Sequence, residues 1–254
     1  MRVEKILFFW YNYFGDFMIY QSTNNNKIKE LKKLMTKKFR DKTGMFLVEG
    51  YHLVEEAKKA GVLDCVISTN EYDFKNNFLV TKEVIKCLST TSTPQEIIGV
   101  CKKKDSKKIG NFVLALDNIQ DPGNLGTIIR SAVAFNVDTI LLGNDCVDLY
   151  NPKVIRSTQG MMFNINIIRC DLKEKLRELK SYQILTTNVE NGKDIKSLEK
   201  HEKLCIIMGN EGNGVKKELE SIATDCIYIK TSDKCESLNV AIATSIILYE
   251  LGCE

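Results

Sequence analysis

The sequence predicts an α/β protein in two parts: a small α/β domain in front, and a larger α/β domain with a mostly parallel sheet behind it. Three observations carry this. Beyond residue 110, six short apolar runs alternate with five stretches of helical periodicity. The runs are apolar throughout, without the in–out alternation of a half-exposed strand, as strands are when helices cover both faces of a parallel sheet. Residues 102–108 (KKKDSKK) hold five lysines and no apolar residue and lie close to Gly110, the composition of an exposed linker.

Taken in order, residues 1–17 (MRVEKILFFWYNYFGDF) are crowded with aromatics. The run 6–14 is too short to span a bilayer and contains Asn12, and no small-residue cleavage site follows it. Met18 comes next, so residues 1–17 are expected to be an upstream extension, an extra packed helix being the alternative. Residues 27–40 carry seven basic residues and one acid, with Ile28, Leu31, Leu34 and Met35 at helical spacing, which predicts one basic amphipathic helix. A strand at 45–48 leads to Glu49-Gly50. A helix at 51–60 stops at Gly61, a usual C-terminal signal. Strands at 63–68 and 78–80, a helix at 82–88 and a strand at 97–101 complete a domain over 18–101, and the linker is placed at 102–110.

The second domain, 111–254, is expected to hold strands at 112–116, 139–142, 163–168, 183–187, 204–208 and 226–229. Its helices are expected at 125–135, 152–158, 172–180, 215–222 and 238–251. The last is apolar almost all round (Leu238, Val240, Ile242, Ile246, Ile247, Leu248, Tyr249, Leu251), so it belongs in the core or at a subunit interface.

Composition sets limits on function. With 44% hydrophobic and 27% charged residues the chain is ordinary for a globular protein. A net charge of +3 neither demands nor excludes a nucleic-acid partner, since clustering is what matters. The lysines of 27–40 and 102–108 suit nonspecific phosphate contact, with a solvated helix face and a linker as the plain reading. None of the nine cysteines is spaced as CxxC and several sit in apolar runs, which fits the reducing cytoplasm better than a disulfide framework. His52 and His201 are the only imidazoles, so a zinc site is disfavoured.

Three stretches could carry chemistry, each just after an expected strand, where open α/β sheets bind ligands. In 117–130 (DNIQDPGNLGTIIR), Asp121-Pro-Gly123 forces a turn and Asn124 suits a helix N-cap. Arg130, about two turns further on, could clamp a phosphate. In 209–214 (GNEGNG) the glycines allow close backbone approach to a ligand, and Glu211 sits at the tip. This is neither a P-loop nor a dinucleotide fingerprint. In 229–240 (IKTSDKCESLNV), Ser237 and Asn239 stand at the mouth of the last helix, with Ser237 expected as its N-cap. Taken singly, each stretch reads more simply as a cap, a turn or a surface charge.

Together, in this order and spacing, they resemble the SpoU family of RNA ribose 2′-O-methyltransferases, also called the TrmH family. The "DPxNxGxxxR" motif is met by Asp121, Pro122, Asn124, Gly126 and Arg130; "GxExxG" by Gly209, Glu211 and Gly214; and "SLNV" by Ser237, Leu238, Asn239 and Val240. The likeness spans about residues 111–252. In front, Phe46-Leu-Val-Glu-Gly50 and Thr93-Pro-Gln95 resemble, more diffusely, the family's L30e-like RNA-binding domain.

The resemblance implies a trefoil-knotted, SPOUT-type methyltransferase domain, a homodimer, a cytoplasmic enzyme with no membrane partner, and S-adenosylmethionine as cofactor. It implies that Gly209, Ile229, Leu238 and Thr187 hold the cofactor, and that the catalytic set is Asn124, Arg130, Glu211, Ser237 and Asn239. The chain departs from the pattern at Lys230-Thr231, Asp233 and Ala241, where the family often has Pro-Met, Gly and Ser. No histidine lies in any motif, and arginine stays protonated below about pH 12. Arg130 is therefore expected to bind the phosphate and steady a developing alkoxide, with proton abstraction as the alternative. Asn124, Ser237 and Asn239 would orient Arg130, the cofactor carboxylate and the loops, and Glu211 would fix the loops or the substrate. The leading expectation is methylation of 23S ribosomal RNA. Transfer RNA is the rival substrate, and a non-catalytic ribosome-assembly factor is the rival class. A nucleotide-dependent dehydrogenase is disfavoured by the missing glycine fingerprint.

Overall fold

The computed structural model describes residues 19–105, 108–188, 192–199, 201–210 and 212–252. The expected extension at 1–17 lies outside them. The chain divides into two compact units, one ending at Lys104 and the other beginning at Asp105.

The front unit runs α1 (Asn26–Lys33), α2 (Lys37–Thr43), β1 (Met45–Glu49), α3 (Tyr51–Lys59), β2 (Leu63–Ser68), β3 (Asn77–Leu79), α4 (Lys82–Leu88) and β4 (Ile97–Lys102). Its sheet has the order β1-β4-β2-β3, with β4 antiparallel to both β1 and β2 and β3 parallel to β2. Ile28, Leu31 and Leu34 pack with Val84, Ile85 and Leu88 against Cys65, Ile67, Ile98 and Val100. Gly99 admits the other layer: a Cβ there would come within 2.9 Å of Val48 and 3.3 Å of Val54 of α3.

The single basic helix expected over 27–40 is two helices. Thr36 takes extended geometry (φ −97°, ψ 137°) and its hydroxyl donates to Lys33 O at 2.8 Å. The buried Arg40 guanidinium donates back to Leu34 O at 2.9 Å. A carbonyl freed by the break thus gains a charged donor, so this arginine serves the fold. Glu49 is equally structural. Its carboxylate accepts from Ser89 Oγ (2.7 Å), Thr91 Oγ1 (2.8 Å) and Gln95 N (3.2 Å), fixing the loop ahead of β4.

The rear unit runs β5 (Phe112–Leu116), α5 (Pro122–Ala134), β6 (Thr139–Gly143), α6 (Pro152–Thr158), β7 (Asn166–Cys170), α7 (Leu172–Glu178), β8 (Gln183–Thr187), β9 (Lys193–Asp194), β10 (Leu204–Met208), α8 (Lys217–Glu220), β11 (Asp225–Tyr228) and α9 (Val240–Gly252). All its strand pairings are parallel, in the order β7-β6-β5-β10-β8-β11-β9. β6 and β10 are buried along their whole length, as their unbroken apolar runs require. The strand expected at 163–168 begins later, because Met161–Phe163 forms a 3-10 turn after Gln159 and Gly160, both at positive φ. Met162 and Phe163 are apolar because that turn is buried. α9 is covered on one side only. Thr244, Ile247 and Leu248 are buried, while Ile242, Ile246 and Tyr249 are 53%, 38% and 60% exposed.

β10 lies between β5 and β8, so the chain reverses its winding there, and a crevice opens beyond the strand ends. No helix among the described residues is long and apolar enough to cross a membrane.

Candidate active site

A cavity of about 370 Å³ occupies that crevice. Its walls come from the segments that leave β8, β10 and β11 and from the start of α9. Thr187, Gly209, Ile229 and Leu238, the four expected cofactor positions, all line it, as does Ser237. Its size suits a small molecule, for which pockets run ~300–1,000 Å³. Met208, Ile227, Ile229, Leu238 and Ile247 offer apolar surface for a planar base, while Thr187, Asn210 and Ser237 supply polar groups. This mixture fits S-adenosylmethionine, which joins an adenosine to a charged amino-acid tail.

The glycine loop after β10 closes on itself. Asn210 N donates to Gly214 O (3.1 Å) and Gly214 N to Asn210 O (2.9 Å), and Gly214 has φ +65°. A Cβ at Gly209 would stand 2.2 Å from the Gly214 carbonyl carbon, so only glycine permits this approach. Asn210 holds the turn from inside, its Oδ1 accepting from Gly212 N (2.9 Å) and Asn213 N (3.3 Å). Its Nδ2 donates to Asn118 O at 3.0 Å, which ties this loop to the one after β5. Glu211, at the tip, lies outside the described residues.

The caps differ from expectation. Asp121, not Asn124, is the N-cap of α5: its Oδ1 accepts from Asn124 N at 2.9 Å, and Pro122 takes the first helical position. Asn239, not Ser237, caps α9, its Oδ1 accepting from Ala241 N (2.9 Å) and Ile242 N (3.3 Å). The last helix therefore starts at Val240, which leaves Ser237 and Leu238 on the segment that leads into it, where they line the cavity. Freed from capping, the Asn124 side chain meets the third stretch, Asn239 Nδ2 donating to its Oδ1 at 3.1 Å. Gly126 lets α6 lie close, since a Cβ there would stand 2.2 Å from Ser157 Cβ.

The three stretches thus converge, with one exception. Arg130 is exposed on α5, lines no part of the cavity, and forms no ion pair with a described residue. The next residue, Ser131, shares a 2.7 Å hydrogen bond with Ser245 of α9. Two contributors escape a reading of the sequence. Asn210 looks like loop filler there, and Asp117, only 2% exposed, suggests no role, although a carboxylate ending an apolar strand signals a buried partner.

The SpoU rRNA Methylase family model matches residues 111–249. The chain belongs to this family. An MRM3-like substrate binding domain matches residues 25–99. Over 242 residues the chain is 37% identical to the 23S rRNA (guanosine(2553)-2'-O)-methyltransferase RlmP of Bacillus subtilis, covering 91% of this chain and 98% of that protein. It is 28% identical to the mitochondrial rRNA methyltransferase 3 of Xenopus tropicalis, covering 87% and 74% of the two. The AdoMet-bound rRNA methyltransferase from Sinorhizobium meliloti superposes with a TM-score of 0.82 at 29% identity, over 92% of this chain and 96% of that one. This SpoU protein is an S-adenosylmethionine-dependent RNA methyltransferase. Of its departures from the SpoU pattern, Thr231 lines the cavity, Lys230 and Asp233 are exposed outside it, and Ala241 is buried in α9.

Proposed function

We propose that the protein methylates a ribose 2′-hydroxyl of 23S ribosomal RNA in the cytoplasm, as a homodimer of chains whose rear units are knotted. The 3.1 Å bond between Asn124 and Asn239 carries the reading, because it joins the first and third motifs beside a cavity walled by the second. The ribosomal substrate is supported by the activities named for relatives that match over most of this chain.

S-adenosylmethionine supplies an electrophilic methyl group on a sulfonium, so the protein's task is alignment and charge control. Backbone groups of Gly209, Ile229 and Leu238, with Thr187, hold it in the cavity. Asn239 keeps the first turn of α9 capped while it fixes the Asn124 carboxamide. Ser237 faces the cofactor side, and Glu211 would fix the loops or the substrate. Arg130 binds the phosphate next to the reacting sugar and stabilises negative charge growing on the 2′-oxygen. Its position outside the cavity of its own chain favours action across a pair. The exposed stripe Ile242, Ile246 and Tyr249, on the helix that packs beside α5, supports such a pair. Exposed Lys29, Lys32, Lys38 and Lys42 on the front unit would meet RNA phosphates.

The test is transfer of labelled methyl groups from S-adenosylmethionine to 23S rRNA and to bulk transfer RNA, with mapping of the 2′-O-methylated position. Label in ribosomal RNA at one site is expected. Label confined to transfer RNA overturns the substrate, and failure to bind S-adenosylmethionine in calorimetry overturns the enzyme in favour of an assembly factor.

A further inference from the structure

The cavity has one wall made largely of glycine and asparagine. Gly212, Asn213 and Gly214 are exposed and gain little from burial, and glycine loses more freedom on ordering than any other residue. Such a loop needs anchors at its ends if it is to stand ready for a ligand. Asn210 supplies one through Asn118. The other lies just past Val215, which is buried and faces the cavity.

Lys216 N donates to Asp117 Oδ2 at 2.9 Å. The Lys216 ammonium also stands 3.4 Å from Asp117 Oδ1 and 2.6 Å from Asp145 Oδ2. One residue therefore links the ends of three strands: β5 through Asp117, β6 through Asp145, and β10 through itself. The Asp117 side chain is 3% exposed, and a carboxylate so buried requires close donors. The Asp145 end is firm as well. Arg169 donates to the carbonyls of Gly143 (3.1 Å), Asn144 (3.0 Å) and Cys146 (3.0 Å), and Val147 N donates to Ile119 O at 2.9 Å. The anchorage is thus hydrogen-bonded into the strand ends, while the glycines of the loop bring no side chains of their own to hold it.

We propose that Lys216 is a positioning residue for cofactor binding, holding the 209–214 loop in the shape that walls the cavity by gripping Asp117 and Asp145. The inference rests on the reading that this cavity takes S-adenosylmethionine. The outer half of the grip is 42% and 63% exposed, and pairs of that kind add little to global stability. Loss of that outer half through Asp145→Asn should appear in cofactor affinity and leave the unfolding temperature nearly unchanged, whereas Lys216→Met also strips a partner from buried Asp117 and should lower it. The hydrogen bond with Asp145 raises the Lys216 pKa and lowers that of Asp145.

The experiment titrates S-adenosylmethionine into the full-length protein by calorimetry and measures kcat for RNA methylation at saturating cofactor. Lys216→Met should weaken binding about tenfold with kcat within about twofold, Asp145→Asn should weaken it about threefold, and Lys216→Arg should recover most of the affinity. Undiminished binding by Asp145→Asn and Lys216→Met overturns the proposal. If Lys216→Met does not fold, Asp145→Asn alone decides. A loss of kcat at unchanged affinity also overturns it, since the lysine would then act on the reaction. Leu238→Arg, which fills the cavity, separates the two ways of failing. If it binds cofactor normally, the reading of the cavity is wrong and the inference goes with it. If it abolishes binding while the Lys216 and Asp145 variants bind fully, only the grip is wrong.

Discussion

Asn239 does two jobs with one side chain, and substitution can separate them. Its oxygen caps α9 and its nitrogen donates to Asn124. Asn239→Ala should cost about 1 kcal/mol of stability through the lost cap, read by urea unfolding. Asn239→Asp keeps the acceptor for the helix but sets a carboxylate against Asn124 Oδ1. It should recover stability without recovering methyl transfer. Arg130 is tested by Arg130→Ala: transfer should fall by about a hundredfold or more while cofactor affinity stays near normal. Equal single-turnover rates would remove Arg130 from the mechanism. At this scale the sequence foretells which residues come together better than how each side chain is used. Asn124 and Asn239 stand out in it, yet the caps it suggests are Asn124 and Ser237. Asp, Asn and Ser are nearly interchangeable as caps, so the choice among Asp121, Asn124, Ser237 and Asn239 is made by contacts between residues 115 positions apart.

At the scale of elements, α9 shows how far composition can be trusted. Its all-round apolarity calls for cover on every side, and within one chain Ile242, Ile246 and Tyr249 lack it. These residues recur on one face at helical spacing, next to the Phe135–Tyr249 ring contact at 5.8 Å. The double change Ile242→Asp with Tyr249→Asp should convert a dimer to a monomer in sedimentation, with methyl transfer reduced and the unfolding of each chain little altered. A variant sedimenting as the parent does would remove α9 from the interface. Most other elements are legible, since strands such as Phe112–Leu116 and Leu204–Met208 announce themselves by unbroken apolar runs. Two are not. The break at Thr36 is hidden because Leu34 and Met35 continue the helical rhythm through it. The strand at Asn166–Cys170 is expected too early because a buried 3-10 turn supplies the same apolar residues as a strand would.

For the whole molecule, two units with separate cores imply stabilities that respond to different groups. In the front unit Asp41 is held to a pKa of about 2, first by its hydrogen bond with Lys103 and then by that with Lys37. A depressed carboxylate stabilises the fold above its ordinary pKa of 3.8 and loses that contribution as pH falls toward 2. Asp41→Asn should therefore lower the unfolding midpoint of the front unit at neutral pH. The gap should be modest, because the side chain is 47% exposed, and it should close between pH 4 and pH 2 in a series of melts. A gap constant across that range would show that the ion pairs add nothing. The two-part plan is legible from the lysine-rich stretch between the apolar runs. The order of the seven strands is not, because neighbours such as β5 and β10 lie some ninety positions apart and each run looks alike.

That order also bears on how the protein is made. β5 and β8 flank a slot that β10 fills, and β10 begins at Leu204 of 254 residues. Until the ribosome has made β10, both flanking strands present bare backbone edges of the kind that invite wrong pairing. Pairings this distant also form slowly. The chain therefore cannot grip its methyl donor until the segment from Leu204 through the start of α9 has followed β5 and β8 out of the ribosome, and until then those edges are open to a chaperone.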